Sequence, residues 1–157
     1  MHIRPFLPTD AAVLSTVFHD AVHGVGAHYY TPDQVNAWSA GPGPPDRFVA
    51  RMTDGRDVFV ATDPQGCPQG FIELEPDGHI DRFYCHPAHT RMGMGLALFT
   101  RLQDAARTRG IPTLTVEASE PAKRFFEKVG FVTLHRRDFD MRGVRMHNYA
   151  MAKDLAP

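Results

Sequence analysis

A chain of 157 residues, 43% hydrophobic and 22% charged, has the size and composition of one globular domain with a sizeable core. Its formal net charge of −1, with nine histidines counted neutral, gives no general electrostatic reason for nucleic acid or an anionic membrane as partner. No apolar run reaches the ~18 residues of a membrane span, and the opening MHIRPFLPTD carries no apolar signal core.

Met1 to Phe6 reads as a short strand. Pro8-Thr9-Asp10 offers a helix start, and Val13, Leu14, Val17, Phe18 and Val22 follow at helical spacing. Thr31-Pro32-Asp33 opens a second helix, with Thr31 as N-cap and Pro32 in the first turn. Gly41 to Asp46 (GPGPPD) ends it, and a short helix follows near 47–52. DVFVATD, QGFIELE and HIDRFYC then read as three antiparallel strands separated by Pro64-Gln65-Gly66 and Pro76-Asp77-Gly78.

Gly93 to Arg109 is a long amphipathic helix stopped by Gly110. TLTVEA is a strand, Ser119 caps a helix that closes at Gly130, and the remainder is a hairpin turning near 141–143. The order is β-α-α-β-β-β-α-β-α-β-β, a mixed α/β fold in a single domain over residues 1–157. The helix between the fourth and fifth strands makes those two parallel neighbours, and the rest pair as hairpins. Cys67 and Cys85 form neither a close pair nor a metal-ligand spacing, and read as reduced thiols of a cytoplasmic protein.

The informative stretch is CHPAHTRMGMGLALF, Cys85 to Phe99. Each glycine inside a helix costs roughly 0.5–1 kcal/mol relative to alanine, so Gly93 and Gly95 need a reason. One reading is a pyrophosphate cradle, because a helix N-terminus presents free N–H groups and partial positive charge. The other is a tight strand-to-helix turn. No Lys-Ser/Thr follows, which excludes the ATP-binding P-loop, and Leu98 stands where a dinucleotide loop has its third glycine.

Two motifs carry a resemblance. Pro87 is followed by Thr90-Arg91-Met92-Gly93-Met94-Gly95, and Ala122-Lys123-Arg124-Phe125-Phe126-Glu127-Lys128-Val129-Gly130-Phe131 comes after it. Together they resemble the GNAT superfamily of acetyl-CoA-dependent N-acetyltransferases over nearly the whole chain. The resemblance implies that the backbone of Arg91, Met92, Gly93, Met94, Gly95 and Leu96 holds the pyrophosphate. It implies that the strand Phe83-Tyr84-Cys85 pairs with the pantetheine arm as an added strand, with an N–H near Cys85 facing the thioester oxygen. Ser119 and Phe126 flank the arm, and Lys128 reaches a cofactor phosphate.

Two departures stand out: Thr90 replaces the usual Gln/Arg, and Phe126 replaces a tyrosine that commonly protonates the leaving thiolate. Tyr84 and Tyr149 are the alternatives for that acid.

A base is required too, and the carboxylates and histidine on the central strands are its candidates. The order is Asp81, then His79, then Glu117, with Glu73 and Glu75 behind them. Each has a plainer reading: Asp81 as an arginine's partner, His79 as an exposed turn residue, Glu117 as a carboxylate at a helix terminus. Cys85 reads as a small buried hydrophobe rather than a nucleophile.

His28, Tyr29, Tyr30 and Trp38 lie where this superfamily builds its acceptor pocket, and otherwise pack a loop. His19 and His23 sit at i and i+4, but no third ligand follows, so no metal is expected. The implied activity is acetyl transfer to an amine of a small molecule or peptide. A non-catalytic acyl-CoA-binding module is the runner-up, an interaction domain the third reading, and a homodimer is left open.

Overall fold

Strand β2 (Asp57–Thr62) alternates side chains between two faces, yet Val58, Phe59, Val60 and Ala61 are all buried. A sheet with both faces buried needs a helical layer on each side. Val58 and Val60 pack with Leu14, Phe48 and Met52, while Phe59 and Ala61 pack with Leu98, Phe99 and Leu102. The computed structural model describes residues 1–89 and 92–155. Thr90 and Arg91, which open the expected pyrophosphate loop, lie outside the described residues.

Helices α1 (Ala11–Gly24), α2 (Pro32–Trp38) and α3 (Pro45–Met52) lie on the first face, and α4 (Met94–Thr108) and α5 (Glu120–Lys128) on the second. α3 is a full element, so the first crossover holds three helices rather than the two of the expected order. Thr31 caps α2 as read: its side chain accepts from the Gln34 N–H, and Gln34 Oε1 accepts the Thr31 N–H at 2.9 Å. Ser119 sits at the N-cap of α5, where its carbonyl accepts the Lys123 N–H at 3.0 Å but its side chain makes no cap hydrogen bond.

Strands β1 (His2–Pro5), β3 (Pro68–Leu74), β4 (His79–Cys85), β5 (Thr113–Ala118), β6 (Val132–Met141) and β7 (Val144–Asp154) complete one sheet in the order β1-β2-β3-β4-β5-β7-β6. β4 and β5 are parallel, as their helical crossover requires. The last hairpin forms as expected, while β1–β2 and β5–β7 pair antiparallel across intervening elements rather than as hairpins. β7, not β6, pairs with β5, so the last hairpin folds back with its second strand inward. β6 is therefore the outer edge, and Val132 and Leu134 stay exposed there.

Two irregularities open the middle of the sheet. β4 and β5 pair only at His79↔Thr115 and Ile80↔Val116, so Asp81 to Cys85 have no partner strand on that side. β4 also holds an extra residue against β3: Ile72↔Phe83 is followed by Leu74↔Ile80, a bulge at Asp81-Arg82. Such a bulge bends the strand that carries it and re-aims the side chains beside it, here Asp81 and Arg82.

Candidate active site

The split is lined by backbone as well as side chains. His86 donates its N–H to Gln69 O on β3 at 2.8 Å. Amides alternate along a strand, so Tyr84 also turns toward β3, while Phe83 and Cys85 turn their N–H and C=O groups to the open side. That free strand edge is what an extended ligand would need for main-chain pairing.

A groove of about 610 Å³ runs along this edge, lined among others by Phe83, Cys85, Gly93, Gly95, Leu96, Ser119, Phe125 and Lys128. Gly93 has φ +79°, a left-handed conformation that favours glycine. A Cβ on Gly95 would stand 3.2 Å from Phe83 Cζ and 3.5 Å from Phe125 Cε2, so glycine also keeps the groove floor open. Gly93 thus serves both the turn and the groove, and Gly95 the groove.

Met94 is buried with its side chain in the core, so only its backbone is available. Met92 is 65% exposed and does not border the groove. Phe126 is likewise a core residue, packed on Phe83, Phe99 and Phe131, and its neighbour Phe125 faces the groove in its place. Consecutive helix positions point about 100° apart, and here the core takes the second one.

A smaller cavity of about 120 Å³ continues from the groove and shares with it the walls Trp38, Phe83, Tyr84 and Ser119. Asp81 and Glu117 bring two carboxylates to it, and Tyr30, Phe126 and His147 also line it. Asp81 Oδ2 accepts from Arg51 and, at 2.9 Å, from Arg56, while Oδ1 has no partner among the described residues. The arginine partner foreseen for Asp81 exists, as the pair Arg51 and Arg56.

His79 is no exposed bystander. Its Nδ1 lies 2.6 Å from Glu75 Oε1 and its Nε2 2.7 Å from Glu117 Oε2. Burial of the ring lowers its pKa, but the hydrogen bonds to the two glutamates outweigh this and hold it above 6.5. Glu75, His79 and Asp81 also bring one ligand atom each within 4.8 Å of one another, but both imidazole nitrogens are already engaged by carboxylates.

Tyr30 and Trp38 reach the cavity; His28 and Tyr29, read with them, lie exposed and border neither cavity. Tyr30 locks the far wall: its hydroxyl accepts the Glu120 N–H at 2.8 Å and donates to His147 O at 3.2 Å. His147 Nε2 in turn meets Glu120 Oε2 at 2.5 Å. This Tyr30–Glu120–His147 cluster joins residues 30, 120 and 147, a juxtaposition that no local motif encodes. Tyr84 spans both cavities, and burial pushes its phenol well above its usual pKa, so it keeps its proton. Tyr149 borders neither.

Burial pushes the Cys85 thiol up to about 12, which leaves it a packing residue and not a nucleophile. His19 and His23 are not free surface histidines: they bond Ser39 Oγ at 2.8 Å and Ser39 O at 2.6 Å.

The family model for the acetyltransferase (GNAT) domain matches residues 27–153. The chain belongs to the GNAT acetyltransferase family and is an N-acetyltransferase by that membership. It is 30% identical over 151 residues to the uncharacterized N-acetyltransferase YafP of Escherichia coli (strain K12), covering 96% of this chain and 94% of that protein. A crystal structure of a GCN5-related N-acetyltransferase from Rhodopseudomonas palustris is 37% identical, with a TM-score of 0.90, covering 98% and 95% of the two chains. The PaiA N-acetyltransferase of Thermoplasma acidophilum, solved in complex with coenzyme A, shares the fold at 18% identity, with a TM-score of 0.79 and 98% coverage of both chains.

Proposed function

We propose that this GNAT protein transfers acetyl from acetyl-CoA directly to a primary amine of a small molecule or peptide. The observation that carries the reading is the split between β4 and β5. It presents a free strand edge at Phe83 and Cys85, beside a groove that begins at the bare backbone of Gly93 and Gly95. An extended arm with a pyrophosphate at one end fits these features: strand edge for the amide-bearing arm, helix α4 N-terminus for the phosphates, Lys128 for a further phosphate. Neighbours solved with coenzyme A or acetyl-CoA support it.

Acetyl-CoA supplies an activated acyl carbon, and the chain's own residues would do the rest. An amine of pKa ~10.4 must lose a proton to attack, which costs about 4–5 kcal/mol near pH 7. Asp81 and Glu117 are the carboxylates that can take it. Asp81 is fixed through Oδ2 by two arginines and leaves Oδ1 open. Glu117 bonds to His79, and His79 to Glu75, a chain leading away from the cavity. Asp81 is the base in this reading and takes the proton; Glu117 holds the ammonium, and His79, itself held by Glu75, fixes Glu117. Tyr84, which lines both cavities with its proton held, is the acid in place of Phe126.

Thermal unfolding with acetyl-CoA, against NAD and ATP, tests the cofactor, and thiol release on adding amines tests catalysis. At 100 times its dissociation constant, acetyl-CoA should stabilise by ~2.7 kcal/mol, a shift of several degrees. No shift at millimolar acetyl-CoA would end the reading. A shift without thiol release from any amine would favour the acyl-CoA-binding module that Phe126 suggests.

A further inference from the structure

A third cavity, of about 300 Å³, lies behind Trp38 on the face covered by α1 and α3. Arg47, Arg51, Arg82 and Arg142 all line it, and no acidic residue does. In a chain of net charge −1 this is a concentrated cation site. Of these four, only Arg51 makes ion pairs among the described residues, with Glu73 and Asp81, and the same two carboxylates also attract Arg82 at longer range. Arg82 stacks over Phe18 at 4.7 Å and Phe48 at 5.6 Å, and its guanidinium meets no hydrogen-bond acceptor among the described residues. Arg47 has no side-chain partner among them either. Arg142 comes from the β6–β7 turn, where it takes φ +50°, unusual for a residue with a Cβ, and bonds Ala37 O at 2.8 Å. Arg47, Arg82 and Arg142, from distant parts of the chain, thus bring guanidinium groups with no ion-pair partner among the described residues to one small space.

A half-buried guanidinium with idle N–H groups is costly unless an oxyanion engages it. Arginine forks match carboxylate and phosphonate oxygens in pairs. Trp38 walls this cavity and also the one holding Asp81 and Glu117. Trp38 is thus shared by a cavity that offers carboxylates for an ammonium and one that offers arginines for an anion.

We propose that the acceptor is a zwitterion: a small primary amine that also carries a carboxylate or phosphonate. Its amine enters beside Asp81 and Glu117, and its oxyanion docks on Arg82 and Arg142. Arg82 and Arg142 are then specificity-determining residues that do not touch the reacting atoms. The proposal rests on the acetyltransferase reading above.

Thiol release from acetyl-CoA with acceptors in matched pairs is the test. Each amino acid or aminoalkylphosphonate is set against its carboxamide or dialkyl ester. The neutral member has the less basic amine, so amine reactivity alone would favour it. The expected result is the reverse: the acid leads by about tenfold or more in kcat/KM, because a neutral analogue leaves the arginines unpaired. R82M, which keeps apolar bulk over Phe18 and Phe48, and R142Q should each bring the ratio close to one, mainly by raising KM for the acid. Stabilisation by acetyl-CoA should persist in both, which also shows that they fold.

Equal or better use of the neutral members overturns the proposal and leaves the acetyltransferase standing. So does a ratio that survives both substitutions. If acetyl-CoA binds but no acid of the panel reacts or binds the CoA-loaded protein, the zwitterion proposal falls alone. If acetyl-CoA does not bind, both readings fall.

Discussion

Arg56 joins Glu73 to Asp81: one guanidinium nitrogen lies 2.5 Å from the carboxylate of Glu73 and 2.9 Å from that of Asp81. Glu73 is fully buried and its Oε2 has no hydrogen-bond partner among the described residues, so its charge depends on Arg51 at 3.3 Å, on Arg56 and, at longer range, on Arg82. Burial raises the Glu73 pKa despite these arginines, which marks how costly the site is. Removing one member of a buried pair costs about 3–5 kcal/mol, whereas replacing both with apolar residues is often neutral. R56M should therefore lower the denaturation midpoint sharply, and the double variant R56M/E73M should recover most of the loss. An unchanged midpoint in R56M would show that the network is not structural.

The pH dependence of stability should carry a His79 component. The folded-state pKa of His79 lies above its ordinary 6.5 because Glu75 and Glu117 together outweigh burial. Such a group stabilises fully below the unfolded pKa, and that stabilisation is lost as pH rises through the higher folded value. H79Q should remove this decline while leaving the acid side of the profile intact. Identical profiles from melting scans across pH 5 to 9, about the range over which histidine titrates, would contradict the bridge.

At the carboxylates, D81N should reduce kcat by about 100-fold or more while acetyl-CoA still shifts the melting temperature. E117Q should act more mildly and displace the pH–rate profile, because it also releases His79. If D81N kept full turnover, the base would lie elsewhere.

Tyr84 gives a separate test. Y84F retains the ring packed against Phe18 at 4.7 Å and removes only the hydroxyl. As the acid it should cost about 100-fold in kcat, and little in stability. Normal turnover in Y84F would assign protonation of the leaving thiolate to water.

The groove can be probed at its glycines. G93D places a carboxylate in a conformation disfavoured for any residue with a Cβ, at the helix end expected to hold the pyrophosphate. Acetyl-CoA should then give no thermal shift in a protein that still unfolds cooperatively. G95V should push on Phe83 and Phe125 and weaken binding as well. A folded G93D that binds normally would remove the cradle.

Much of the architecture follows from local chemistry. The caps at Thr31 and Gly93, the apolar stripes of α1 and α4, and the parallel β4–β5 pair are written in short stretches, because helix ends, periodicity and crossover length are local properties. The GNAT glycine loop and the Ala122–Phe131 motif are local as well, and they sufficed for the family. The pairing of β7 with β5 is not local: both strands of the final hairpin read alike, and only packing against α5 and α2 selects the inner one. Nor can sequence spacing tell that Phe126 fills the core while Phe125 meets the groove, since both are apolar neighbours on one helix. Asp81 was legible as a carboxylate on the right strand, but its clamp by Arg51 and Arg56 depends on α3 and the β4 bulge. The clusters Tyr30–Glu120–His147 and Arg47–Arg82–Arg142 draw on residues a hundred positions apart. The sequence by itself determined the elements, the family and the glycine loop. The tertiary structure alone decided which charges face each other, because Coulomb forces and burial act between side chains that only folding brings close.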